Sequence, residues 1–176
     1  ELFGEYSGED AAAFWPIVES YLAGFYIPRL TAGGRDDLRF EYFRGNQILY
    51  TNGTFPEGYL RYGLPLGDSQ GGGAQEFFLR YSHWFSVRNN LAIEAYRTSR
   101  GDFGRITVDP SGRFDPNGVF QSVERKVALR AFWTLPVFGD WDALLMYGQE
   151  WISNLELRQG VSRDNHLLRA ELSYRY

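Results

Sequence analysis

The chain has 176 residues, a formal net charge of −4 with its lysines and arginines scattered, and no cysteine. This balance offers no footprint for a nucleic-acid backbone, and it rules out disulfides, thiolate metal sites and cysteine nucleophiles. Aromatics are abundant, with 14 Phe, 12 Tyr and 5 Trp, yet mean hydropathy is −0.38, and the best apolar run, residues 11–18, is interrupted by Pro16, short of the ~20 apolar residues a membrane-crossing helix needs.

Strands are a different matter, because alternation of apolar and polar residues keeps the average low even when one face meets lipid. In chain order, weak strands are predicted at residues 2–6 and 20–27. Then Leu38, Phe40 and Tyr42 alternate with Arg39, Glu41 and Phe43, and Phe77, Leu79 and Tyr81 with Phe78, Arg80 and Ser82. Leu91, Ile93 and Ala95 alternate with Ala92, Glu94 and Tyr96. Over residues 123–135, Val127, Leu129, Ala131, Trp133 and Leu135 oppose Glu124, Lys126, Ala128, Arg130 and Thr134. Trp141, Ala143, Leu145 and Tyr147 oppose a set ending in Glu150, and Leu168, Ala170, Leu172, Tyr174 and Tyr176 oppose Arg169, Glu171, Ser173 and Arg175. Period two throughout means half-solvated strands. About eight are counted, the smallest number that closes a membrane barrel.

The connections alternate in length: short at 31–37, 86–90 and 136–140, long at 7–19, 45–75, 98–122 and 152–165. Up-and-down barrels with tight periplasmic turns and long outer loops have this rhythm. The fold class is therefore all-β, an antiparallel up-and-down transmembrane barrel, with residues 1–176 as a single domain. No basic, apolar leader opens the chain, which reads as mature or as the later part of a longer sequence. A soluble β-sandwich also alternates, but it would bury Glu41, Arg80, Glu94, Glu124, Lys126, Arg130, Glu150, Arg169 and Glu171 in a dry core at prohibitive cost, whereas a wet or ion-paired lumen accommodates them.

Residues 45–75 carry Tyr50, Phe55, Tyr59 and Tyr62 among Asn52 and Asp68. Aromatic faces stack on the apolar side of a sugar ring while amides and carboxylates meet its hydroxyls; packing of the same aromatics into a barrel mouth is the plainer reading. Trp15, Arg100, Asp102 and Trp151, placed in the other long loops, would extend such a surface. Asp109-Pro110-Ser111-Gly112 and Asp115-Pro116-Asn117-Gly118 are turn formers; a calcium site on Asp109 and Asp115 matches no loop rule. His83 and His166 lack metal-ligand spacing, and Ser162, Asp164 and His166 lie too close in sequence for triad geometry without a nucleophile elbow. No cofactor, metal or catalytic residue is assigned.

The opening Leu2-Phe3-Gly4-Glu5-Tyr6 with Gly8-Glu9-Asp10, then Tyr21-Leu22-Ala23-Gly24-Phe25-Tyr26, Tyr50-Thr51-Asn52-Gly53, Gly58-Tyr59, Gly63-Leu64-Pro65-Leu66-Gly67, and the ending Asp164-Asn165-His166-Leu167-Leu168 through Tyr174-Arg175-Tyr176 together resemble the Wzi capsule-assembly family. The resemblance implies a non-enzymatic barrel of the Gram-negative outer membrane that binds or attaches capsular polysaccharide, of which this chain would be the C-terminal part. Its partners would be outer-membrane lipid, an extracellular polysaccharide and other envelope protein chains. The rival readings are a porin-like pore for small solutes and a structural subunit of an envelope complex.

Overall fold

In the computed structural model the described residues are 1–12, 15–46, 60–61, 64–65, 73–101 and 122–175. The strands are β1 (Leu2–Ala12), β2 (Trp15–Ile27), β3 (Asp36–Gly45), β4 (Leu60–Arg61), β5 (Leu64–Pro65), β6 (Ala74–Ser86), β7 (Asn89–Arg100), β8 (Glu124–Phe138), β9 (Trp141–Ser153) and β10 (Ser162–Tyr174), with a short 3-10 turn at Leu155–Leu157 between the last two. Eight of them form one antiparallel sheet in the order β1-β2-β3-β6-β7-β8-β9-β10, and β4 and β5 pair as a small separate hairpin. Every neighbour in the large sheet is also the next long strand in sequence, the up-and-down order that tight turns enforce. A sandwich needs a second packed sheet, and the two-residue strands of the small hairpin cannot supply one. β1 and β10 each pair on one side only, so the sheet is open along two edges among the described residues. Among the described residues no helix is long and apolar enough to cross a membrane.

The two faces differ in the way their sequences dictate. Ile93, Leu129 and Tyr147 are 48%, 45% and 47% exposed on the apolar face, whereas Ala92, Glu94 and Ala128, which point the other way, are 0%, 7% and 1% exposed. A flat single-layer sheet would expose both faces alike; the difference is that of a sheet curled round its polar side. Gly24 permits one tight contact there. A Cβ at that position would stand 2.5 Å from the Phe40 carbonyl oxygen and 2.6 Å from the Phe3 ring, so the Phe3 ring lies directly against backbone.

Two connections differ from expectation. Residues 7–19 are not a long loop: β1 and β2 extend into them and stay paired to Ala12↔Trp15, with Ala11 opposite Pro16. Proline offers no N–H, and β2 pairs with β3 only from Tyr21 onward, so Pro16 stands where β2 has β1 as its single neighbour, a marginal position where proline is tolerated. Residues 152–165 likewise shrink, because β9 runs to Ser153 and β10 starts at Ser162, paired with it. Asn154, Glu156 and Leu157 take positive φ in the compact turn, and Asn154 holds it by donating to the Val123 carbonyl (2.9 Å) and accepting from the Gly160 N–H (3.0 Å). Trp15, Arg100 and Trp151 accordingly belong to strands rather than loops.

Candidate functional site

The polar face is built from two adjacent rows of cross-strand neighbours. One runs Tyr26, Arg39, Arg80, Glu94, Arg130, Gly148, Leu167, and the next Gly24, Glu41, Phe78, Tyr96, Ala128, Glu150, Asn165. Arg39 and Arg80 stand opposite each other, a destabilising arrangement for like charges, and each turns to a carboxylate: Arg39 to Glu41 and Arg80 to Glu94 at 3.3 Å. Tyr96 donates to Glu94 at 2.7 Å, and the Arg130 guanidinium lies 4.8 Å from the Tyr96 ring centre while reaching Glu150 at 3.3 Å. Gly148 lies beneath that side chain, where an added Cβ would touch Arg130 Cγ at 3.4 Å. Thr98 donates to Glu76 at 2.7 Å, Glu124 accepts the Glu156 N–H at 2.6 Å, Lys126 is half-buried on the same face, and Arg169 pairs with Glu171 on β10. Alternation already sets Arg39 beside Glu41 and Arg169 beside Glu171 on one strand face; the cross-strand register decides that Arg80 meets Glu94 and Arg130 meets Glu150.

At one end of the sheet the short connections are riveted by side chains. Asp36 accepts from Thr31, from Tyr81 at 2.6 Å and from His83 Nδ1 at 2.6 Å, and Asp37 accepts from Trp84 Nε1 at 3.0 Å. Buried Asp142 binds Arg88 (2.8 Å) and Arg175 (2.6 Å), and Arg88 also donates to the Gly139 and Trp141 carbonyls. His83 is thus a structural partner of Asp36.

At the opposite end, Gly45, Ala74, Arg100 and Glu124 form one row of strand ends. From it leave the two longest connections, 46–73 and 101–123. Their roots are stitched by backbone bonds, Gly73 N–H to Asn46 oxygen at 2.9 Å and Gly101 N–H to Gly73 oxygen at 2.7 Å. Gly101 has φ +86°, a conformation that favours glycine. Tyr50, Asn52, Phe55, Tyr59, Tyr62 and Asp68 lie outside the described residues, as do Asp102, Asp109 and Asp115. Trp151 is placed differently from expectation, in β9 between Val127 and Asp164, on the apolar face. Ser162, Asp164 and His166 project from the same face of β10 without bonding one another, and His166 Nδ1 instead meets the Tyr147 hydroxyl at 3.1 Å. Among the described residues no group of His, Cys, Asp or Glu could hold a metal ion.

Aromatic residues frame the apolar face at both ends. Phe138, Trp141 and Tyr174 cluster beside the short turns, with ring centres 5.8 and 5.2 Å apart, and Tyr21, Tyr42 and Phe77 cluster at the other end, 5.9 and 4.7 Å apart. Between them lie Leu79, Ile93, Leu129, Leu145 and Leu168. Trp141 and Trp151 mark both limits on a single strand, β9. Ten residues separate them, roughly 33 Å of strand, which at a tilt near 40° gives roughly 25 Å, the height of the apolar band on an outer-membrane barrel.

An exposed apolar band with two aromatic girdles, backed by an ion-paired polar face on an up-and-down sheet, defines the outer-membrane β-barrel class. Residues 1–167 match the family described as capsule assembly protein Wzi, and the chain belongs to that family of Gram-negative outer-membrane, non-enzymatic proteins of capsule assembly. Comparison with curated proteins and with solved structures returned no match.

Proposed function

We propose that the chain holds extracellular polysaccharide at the cell surface through residues 47–72 and 102–121, rooted together on the row Gly45, Ala74, Arg100, Glu124. That common root is the observation that carries the reading, because it brings the roots of two long, aromatic- and amide-containing segments together at the end opposite the tight turns. Tyr50, Phe55, Tyr59 and Tyr62 supply stacking faces, and Asn52 and Asp68 supply hydrogen-bonding groups. Trp151 is left out, since it faces the apolar side at the girdle. The test is capsule retention on intact cells. Tyr50→Ala and Tyr59→Ala should release polysaccharide at unchanged protein level, and full retention in both would reject the assignment.

A second reading, passage of small solutes along the polar face, is favoured by the ladder from Arg39 to Glu150. Single-channel conductance separates the two: a barrel stoppered by its own loops passes almost no current.

A further inference from the structure

The apolar face carries one group of cations that nothing above uses. At the girdle from which the long connections leave, Arg97 and Arg125 project outward from β7 and β8 as diagonal neighbours, Arg97 opposite Val127 and Ser99 opposite Arg125. Diagonal neighbours of this kind stand within reach of one another. Both arginines are exposed, and neither meets a carboxylate among the described residues. They line a groove of about 610 Å³ together with Gln75, Phe77, Ser99 and Val127. The Ser99 hydroxyl in its wall is 9% exposed as a residue and has no hydrogen-bond partner among the described residues. A buried hydroxyl without a partner and two adjacent unneutralised guanidiniums are each unfavourable alone; together they are a half-built anion site. Phe77 and Val127 border it on the side toward the apolar band.

We propose that this groove binds the phosphate-bearing headgroup of an outer-leaflet glycolipid, with Arg97 and Arg125 clasping the phosphate, the Ser99 hydroxyl donating to it, and Phe77 and Val127 meeting the first methylenes of its acyl chains. The position selects an amphiphile over a free anion, because the guanidiniums stand at headgroup depth directly above surface that faces hydrocarbon. Arginine suits the role through its planar fork of donors. The inference rests on the long connections facing outside, the orientation adopted above, and not on what those connections bind.

The experiment uses the whole chain, purified in a phosphate-free detergent, folded by heat-shift on a gel, and titrated by native mass spectrometry with four probes: a bisphosphorylated lipid A, its monophosphoryl form, phosphatidylethanolamine and inorganic pyrophosphate. The bisphosphorylated glycolipid should bind tightest. Its affinity should fall about tenfold or more in Arg97→Gln/Arg125→Gln and by a smaller factor in Ser99→Ala, while Arg158→Gln, an exposed arginine paired with Glu156, should leave it unchanged. Should the double variant fail to fold, Ser99→Ala carries the comparison. Equal affinity in the double variant, an equal loss in Arg158→Gln, or pyrophosphate binding as tightly as the lipid would overturn the proposal. Capsule retention measured on the same variants reports on the polysaccharide reading separately.

Discussion

The two ends of the sheet are built on opposite plans. Beside the short turns, carboxylates are spent on the fold: Asp36 accepts from three side chains, and Asp142 ties β9 to Arg88 of the β6–β7 turn and to Arg175. Where the long connections leave, backbone stitches the roots, and among the described residues Arg97 and Arg125 meet no carboxylate and the buried Ser99 hydroxyl has no partner. One end is internally satisfied. The other leaves polar groups unmet among the described residues, and scaffold and binding surface commonly divide in this way.

Between the two ends, the apolar band sets the largest expected effect. Ile93→Arg should lower unfolding free energy in lipid by about 2–4 kcal/mol, the cost of a midplane arginine on a barrel's lipid face, read by urea titration in vesicles; an indifferent protein would mean that water, not lipid, covers that side. Next comes the riveted end. Asp142→Ala leaves two guanidiniums without their shared carboxylate, and a loss of about 2–3 kcal/mol is expected in the same titration. Asp36→Asn keeps the shape but removes the charge that three donors address, for about 1–2 kcal/mol; a change within error would show that those bonds do not hold the β2–β3 turn. Smallest should be Tyr50→Ala, whose stability is expected to stay within about 0.5 kcal/mol while capsule retention drops. A stability loss as large as that of Asp142→Ala would erase the contrast between the ends.

Much of this architecture was legible from residue order. Leu129 and Ile93 lie on the apolar face, and Arg130 and Glu94 on the other, as alternation requires, because a strand's side chains must point to opposite sides whatever surrounds them. The tight turns at 86–90 and 136–140 were equally visible. Residues 7–19 misled because Pro16 and the run Ala11 to Ala13 break the alternation, yet a strand at the margin with one neighbour tolerates both. Trp151 misled for a related reason: its neighbours Ile152 and Ser153 carry no polarity signal that says where β9 stops. The β4–β5 hairpin has two-residue strands, too short to show a period.

Local periodicity therefore established the strands and their apolar and polar faces, since each depends on a residue and its immediate neighbours. Pairings across strands were beyond its reach. That Arg130 reaches Glu150, that Asp36 gathers Thr31, Tyr81 and His83, and that Ser99 stands opposite Arg125 all depend on register. Shifting any strand by one residue would turn its side chains to the other face, so register follows from the packing of the whole sheet and is written in no single segment.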